Sequence, residues 1–226
     1  MRSLLLSAVV ALALLPASFA QTVVNQSAFG GAQGVEGVVY AIAIQSDGKI
    51  VIGGAFNAVN GVPRGNLARL NADGTLDRNF ADSPVAGTNG PVRALALLND
   101  GSIVVGGEFT QAGQVTINNI ALYLPDGSVD RAFAQKGDPG TNGEVFALAV
   151  QTDGRIVLGG NFSAVCGRQR LGVARLTADG TLDEAVPASG QINGRVDALV
   201  PMGASSLAGG NFLVTNQPAR SLYALP

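Results

Sequence analysis

Few residues in this 226-residue chain could do chemistry, and their types narrow the choices. Histidine is absent, which removes the commonest general base and the commonest transition-metal ligand. Zinc, haem and Ser-His-Asp chemistry go with it. No G-x-S-x-G, P-loop or dinucleotide fingerprint occurs. The sequence therefore assigns no catalytic residue, no metal site and no cofactor. Two carboxylates would suffice for glycoside hydrolysis. Glu36, Glu108, Glu144 and Glu184 are the acids free for it, and each also reads as a solvated loop or strand-edge residue. The aspartates have turn duties. Asp47, Asp100 and Asp153 precede glycine, as do Asp73, Asp126 and Asp179, and Asp-Gly is ordinary turn chemistry. Asp77, Asp130 and Asp183 recur on a later strand, where a side-chain hydrogen bond to backbone would explain them. Calcium takes oxygen ligands, but no D-x-D-x-D-G loop is present. Cys166 is alone, so there is no disulfide framework. It takes the place that Asn60 holds earlier, beside Gly167, and reads as a loop thiol.

More informative are positions that differ where their surroundings repeat. One place holds Tyr40, Arg93, Phe146 and Asp197. Another holds Ala55, Glu108, Asn161 and Asn211. Two aromatics, an arginine and an aspartate converging on one axis would suit a polar or carbohydrate-like ligand, with rings for stacking and charges for orientation. The candidate ligand-binding residues are thus Tyr40, Arg93, Phe146, Asp197, Glu108, Asn161 and Asn211. The bland alternative is that this side of the strand faces a neighbouring sheet or water, where variation costs little.

The elements that must position these residues come from a repeat. Gly-Gly pairs stand at Gly53-Gly54, Gly106-Gly107, Gly159-Gly160 and Gly209-Gly210, in steps of 53, 53 and 50 residues. A fixed period near 50 signals stacked or radially arranged units. The units run over about 37–89, 90–142, 143–193 and 194–226, the last joined by 23–29. Each unit reads as four short strands bounded by Gly, Asp and Asn. In the first, strand a is Val38 to Gln45, strand b Lys49 to Phe56, strand c near Asn66 to Asn71, and strand d near Thr75 to Phe80. Asp-Gly at both hairpins predicts type I′ turns, in which both central residues have positive φ. Gly-Gly on strand b predicts a bulge or a close backbone approach. The following Phe56, Phe109, Phe162 and Phe212 are expected to plug the space between units. Ala41, Ala94, Ala147 and Ala198 share one place on strand a, which suits a crowded, innermost strand.

The predicted fold is all-β: a β-propeller of about four blades of four antiparallel strands. Residues 23–29 resemble a spare strand d, and Ser221 to Pro226 resemble a strand c. The N-terminal strand is therefore expected to complete the last blade, removing exposed edges. The rival is an open arc, an incomplete propeller that self-associates or needs a second chain. The stretches Ala147–Phe162 and Val173–Asp183 resemble the delta-60 repeat, a bacterial β-propeller-type repeat. That resemblance covers nearly all of residues 22–226 and implies the fold and an extracellular setting, with no general enzymatic activity. Kelch repeats share the Gly-Gly and the period, but they also want a Trp, and this chain has none. The fourth copy departs from the pattern, with Pro201-Met202-Gly203-Ala204 in place of the Asp-Gly turn.

Residues 1–20 read as a cleaved secretory signal: Arg2, an apolar run from Leu4 to Leu15, Pro16, then Ala17-Ser18-Phe19-Ala20. The run is shorter than the ~20 residues that span a bilayer, and no second apolar span follows, so no membrane span is expected. Residues 21–226 form one domain. The 31 glycines are about twice the ~7% average, with no collagen period. Net charge is −2, and no basic patch supports a nucleic-acid partner. The reading is a secreted, periplasmic or cell-surface binding or scaffold module whose ligand is a protein or a glycan. Its rivals are an extracellular polysaccharide enzyme with paired carboxylates, and a non-functional fragment of a longer repeat protein.

Overall fold

A computed structural model of the chain describes residues 34–81, 86–134, 140–185, 192–214 and 222–225. The leader-like segment and residues 23–29 lie outside the described residues. The first sheet comprises β1 (Val35–Ile44), β2 (Ile50–Val59), β3 (Val62–Pro63) and β4 (Leu67–Leu70). The second unit holds β5 (Val92–Leu97), β6 (Ile103–Gly107), the small hairpin β7 (Gln111–Ala112) and β8 (Val115–Thr116), and β9 (Ile120–Tyr123), followed by the one-turn α1 (Arg131–Ala134). The third repeats the plan with β10 (Glu144–Val150), β11 (Ile156–Asn161), the hairpin β12 (Ala164–Val165) and β13 (Arg168–Gln169), and β14 (Val173–Leu176). The fourth comprises β15 (Ile192–Met202), β16 (Ser205–Val214) and β17 (Leu222–Leu225). The order in the last three sheets is β5-β6-β9, β10-β11-β14 and β15-β16-β17, all antiparallel.

The expected fourth strand of each of the first three units is present as a single antiparallel bridge: Leu70 to Leu76, Tyr123 to Val129, and Leu176 to Leu182. The repeated aspartate one residue later explains why the ladder stops. Asp77 Oδ1 accepts from Asn79 N at 2.9 Å, Asp130 Oδ1 from Ala132 N at 2.8 Å, and Asp183 Oδ1 from Ala185 N at 2.9 Å. These bonds bend the chain into a turn instead of extending it.

The sheets lock through the first glycine of each pair. A Cβ on Gly53 would stand 2.4 Å from Val92 Cγ1, one on Gly106 would stand 2.6 Å from Val145 Cγ1, and one on Gly159 would stand 2.6 Å from Val196 Cγ1. Leu95, Leu148 and Leu199 lie beside the same three glycines. Each glycine is therefore a socket for a Val and a Leu from the next sheet. The three valines are fully buried, and such burial contributes about 1.5–3 kcal/mol per side chain. Phe56, Phe109, Phe162 and Phe212 are all buried as well.

Polar links run between the same sheets. Asn66 Nδ2 donates to Thr88 O at 2.8 Å, and Asn119 Nδ2 to Thr141 O at 3.0 Å. Arg69 Nη1 reaches Pro125 O at 2.7 Å. Its Nε and Lys49 Nζ both bond Asp77 Oδ2 at 2.8 Å. Burial alone would raise the pKa of Asp77. The bonds from Lys49, Asn79 N and Arg69 outweigh it and hold the carboxyl down at about 2.

One expectation changes. The Asp-Gly hairpins are not type I′. Only the glycine has positive φ, 83° at Gly48 and 83° at Gly74. Gln45 N donates to Lys49 O and Gly48 N to Gln45 O, a three-residue loop in which a type I turn ends in a left-handed glycine. The aspartate stays right-handed and caps the loop, Asp47 Oδ1 accepting from Lys49 N at 3.0 Å. Turns with two left-handed residues occur at Asn60-Gly61 and Cys166-Gly167. The fourth unit closes its hairpin on Gly203, φ 67°, where Met202 pairs with Ser205.

The four sheets do not close into a ring among the described residues, as in an incomplete propeller. Packing runs from β1 to β5, β5 to β10 and β10 to β15. Among the described residues, no helix is long and apolar enough to cross a membrane.

Replacing Gly107 with Val is expected to destabilise by about 3 kcal/mol or more, because its Cβ would stand 2.1 Å from Pro91 O. Thermal melting checks this, and an unchanged melt would refute the close approach. Asp77 has a second test in acid. Its folded pKa lies below the ordinary ~3.9, so its contribution is full above about pH 4 and is lost as pH falls through about 2. Urea unfolding of wild type and Asp77→Asn should differ by about 2 kcal/mol more at pH 6 than at pH 2. A difference that ignores pH would rule out the ionised pair.

Candidate functional site

The second glycine of each pair shapes the candidate site. A Cβ on Gly54, Gly107, Gly160 or Gly210 would fall 2.0, 2.1, 2.0 or 2.3 Å from the carbonyl oxygen of Val38, Pro91, Glu144 or Arg195. Strand a presses onto strand b there, and the pairing skips one residue. Val39 pairs with Gly54 and Ala41 with Gly53. The skip recurs between Val92 and Ala94, Val145 and Ala147, and Val196 and Ala198. The skipped residues are Tyr40, Arg93, Phe146 and Asp197, the four that vary. Each is the extra residue of a β-bulge, which leaves it outside the ladder and re-aims its side chain.

These side chains gather in two groups. Arg93 of the second sheet stacks over the Tyr40 ring of the first, 4.2 Å from its centroid. Its Nη2 pairs with Glu108 Oε1 at 2.6 Å. Burial lowers the Arg93 pKa, and the bond and charge of Glu108 more than reverse this, raising it. In the second group, Arg195 of the fourth sheet lies 4.3 Å from the Phe146 ring centroid of the third and pairs with Asp197. Asn161 stands opposite Glu144 in the pairing, and Asn211 opposite Arg195. Both asparagines are exposed. Asn161 also lines a cavity of about 290 Å³ with Asn142, Ser163 and Asn193.

All seven sequence candidates therefore sit at one level of strands a and b, and five of them, Tyr40, Arg93, Glu108, Phe146 and Asp197, fall in the two groups. The sequence reading missed Arg195. Its signal was weak, because the position also holds Val38, Pro91 and Glu144 and so looks unconstrained. It also missed the buried Thr88 and Thr141, carried by a Gly-Thr-Asn-Gly stretch at 87–90 and 140–143. Of the four carboxylates considered for catalysis, Glu108 is paired with Arg93, and Glu184 with Arg168 and Arg170. Among the described residues, no group of three or more acids or cysteines could hold a metal ion.

The model of the family described as "Domain of unknown function (DUF5122) beta-propeller" matches residues 45–80, 98–133 and 151–185. Each match runs from the first hairpin past strand c, one in each of the first three units. This chain is a β-propeller repeat protein. No curated protein matches it. Among solved structures, the WD40 β-propeller domain of Doa1 aligns at 17% identity and TM-score 0.53, over 83% of this chain and 50% of that one. The chain thus spans half the length of that domain. The extracellular domain of a putative hybrid two-component system from B. thetaiotaomicron aligns at 15% identity and TM-score 0.48, over 83% of this chain and 21% of the other. A streptogramin B lyase aligns at 17% identity and TM-score 0.47, over 86% and 56%. At these identities the likeness is one of fold.

The bulge side chains should be dispensable for folding. A half-exposed cation–π pair contributes about 0.5–1 kcal/mol and an exposed ion pair about 0–1 kcal/mol. Arg93→Ala and Tyr40→Ala should each lower stability by less than about 2 kcal/mol. A loss as large as that of Gly107→Val would show that the row is a structural part of the propeller.

Proposed function

We propose that this β-propeller is a secreted, non-catalytic binding module whose ligand, a protein or a glycan, meets the row of bulge residues. The observation that carries the proposal is that the skipped position on strand a, repeated in all four sheets, holds a different side chain each time. Tyr40 is 43% exposed, and the Arg93 and Glu108 side chains are each 30% exposed. Two aromatic rings, each backed by an arginine, offer flat apolar surface beside charge, a combination that suits sugar rings with polar edges. Glu108, Asn161, Asp197 and Asn211 add hydrogen-bonding groups at the same level. Secretion rests on the leader-like residues 1–20, after which the mature chain begins at Gln21.

The test is retention of the full chain, produced with its leader, on a panel of immobilised neutral and acidic oligosaccharides. N-terminal sequencing should read from Gln21. Tyr40→Ala with Phe146→Ala should reduce retention at least tenfold while the melt stays near wild type. No new reducing ends should appear in soluble polysaccharide incubated with the protein. Equal retention by the double variant would place binding elsewhere, and reducing ends would favour the carboxylate enzyme.

A further inference from the structure

The three internal sheet junctions share one geometry, and among the described residues the two outer faces carry its two unmatched halves. Val92 with Leu95 enters at Gly53, Val145 with Leu148 at Gly106, and Val196 with Leu199 at Gly159. The corresponding pair on the first sheet is Val39 and Ile42. Val39 is half-buried, whereas Ile42 is 65% exposed and Ile44 on the same face is 69% exposed. The corresponding glycine on the fourth sheet is Gly209. Gly53, Gly106 and Gly159 are buried, whereas Gly209 is only half-buried. Around it, Ala198 is exposed, and so are Val200 and Met202, at 54% and 59%. On the inner sheets the matching Ala94, Ala147 and Ala149 are buried against a neighbour.

We propose that two copies of this chain associate head to tail, the first sheet of each packing on the fourth sheet of the other. Val39 and Ile42 of one copy enter at Gly209 of its partner, continuing the junction that each chain already makes three times. The two equivalent contacts close eight sheets into one ring. Eight lies within the ~4–8 blade range of propellers, and one copy covers half the length of the WD40 propeller domain that it resembles. Closure also covers two apolar faces of the kind that otherwise promote uncontrolled association.

Sedimentation equilibrium of the full chain tests this, with Ile42→Asp and Gly209→Val as variants. Wild type should show twice the mass of one chain, and each variant should be a monomer with wild-type circular dichroism. Mixing the two variants should restore a dimer, because one intact junction remains between them, and it should dissociate at least tenfold more readily than wild type. A wild-type monomer at all concentrations would overturn the proposal in favour of a chain that closes on itself or stays open. A dimer that survives both substitutions, or a species larger than two copies, would overturn it as well. Oligosaccharide retention by Ile42→Asp separates this proposal from the binding proposal, since the bulge row is intact in that variant.

Discussion

Four carbonyl oxygens, those of Val38, Pro91, Glu144 and Arg195, lie within 2.3 Å of where a β-carbon would begin on the facing glycine. Only hydrogen fits in that gap. Because it fits, strand a sinks onto strand b and the ladder drops a residue. That residue carries the variable side chain. The neighbouring glycine leaves the opening through which the next sheet inserts its valine and leucine. Intrasheet spacing, intersheet packing and the candidate surface thus all depend on two adjacent missing side chains in each unit.

The polar links are less uniform than the apolar ones. The first and third units hold an Arg–Asp pair, Arg69 with Asp77 and Arg175 with Asp183. The second unit has Leu122 in the arginine's place, and the chain after Asp130 coils into the short helix α1. Arg69 is tied on several sides, to Asp77, to Pro125 O and over the Phe80 ring. A buried ion pair stabilises a fold only when its remaining hydrogen bonds are met, and here most of them are.

Much of the architecture was legible because the period is strict. The Gly-Gly spacing showed the number of sheets, and the Asp-Gly hairpins showed that their strands run antiparallel. The asparagines at Asn66 and Asn119 were not legible as intersheet links, because left-handed φ and a side chain reaching the next sheet are properties of three dimensions. The hairpin type was misjudged for a related reason. Asp-Gly is compatible with two turns, and the aspartate's bond to the backbone two residues on decides between them. At the candidate site, variation inside a constant frame picked out positions that lie at one level of strands a and b. It did not show that those positions were bulges, nor that Arg195 would cross to Phe146, since sequence spacing says nothing about which side chains meet across a junction.

The skipped residue on strand a has a consequence for how such a chain changes over time. Pairing makes no demand on it, so its identity and the integrity of the frame are nearly independent variables. A duplicated unit can keep every glycine, valine and alanine that holds it in place and still acquire a new surface chemistry through one substitution. Tyrosine, arginine, phenylalanine and aspartate at equivalent points of near-identical sheets are what that independence permits.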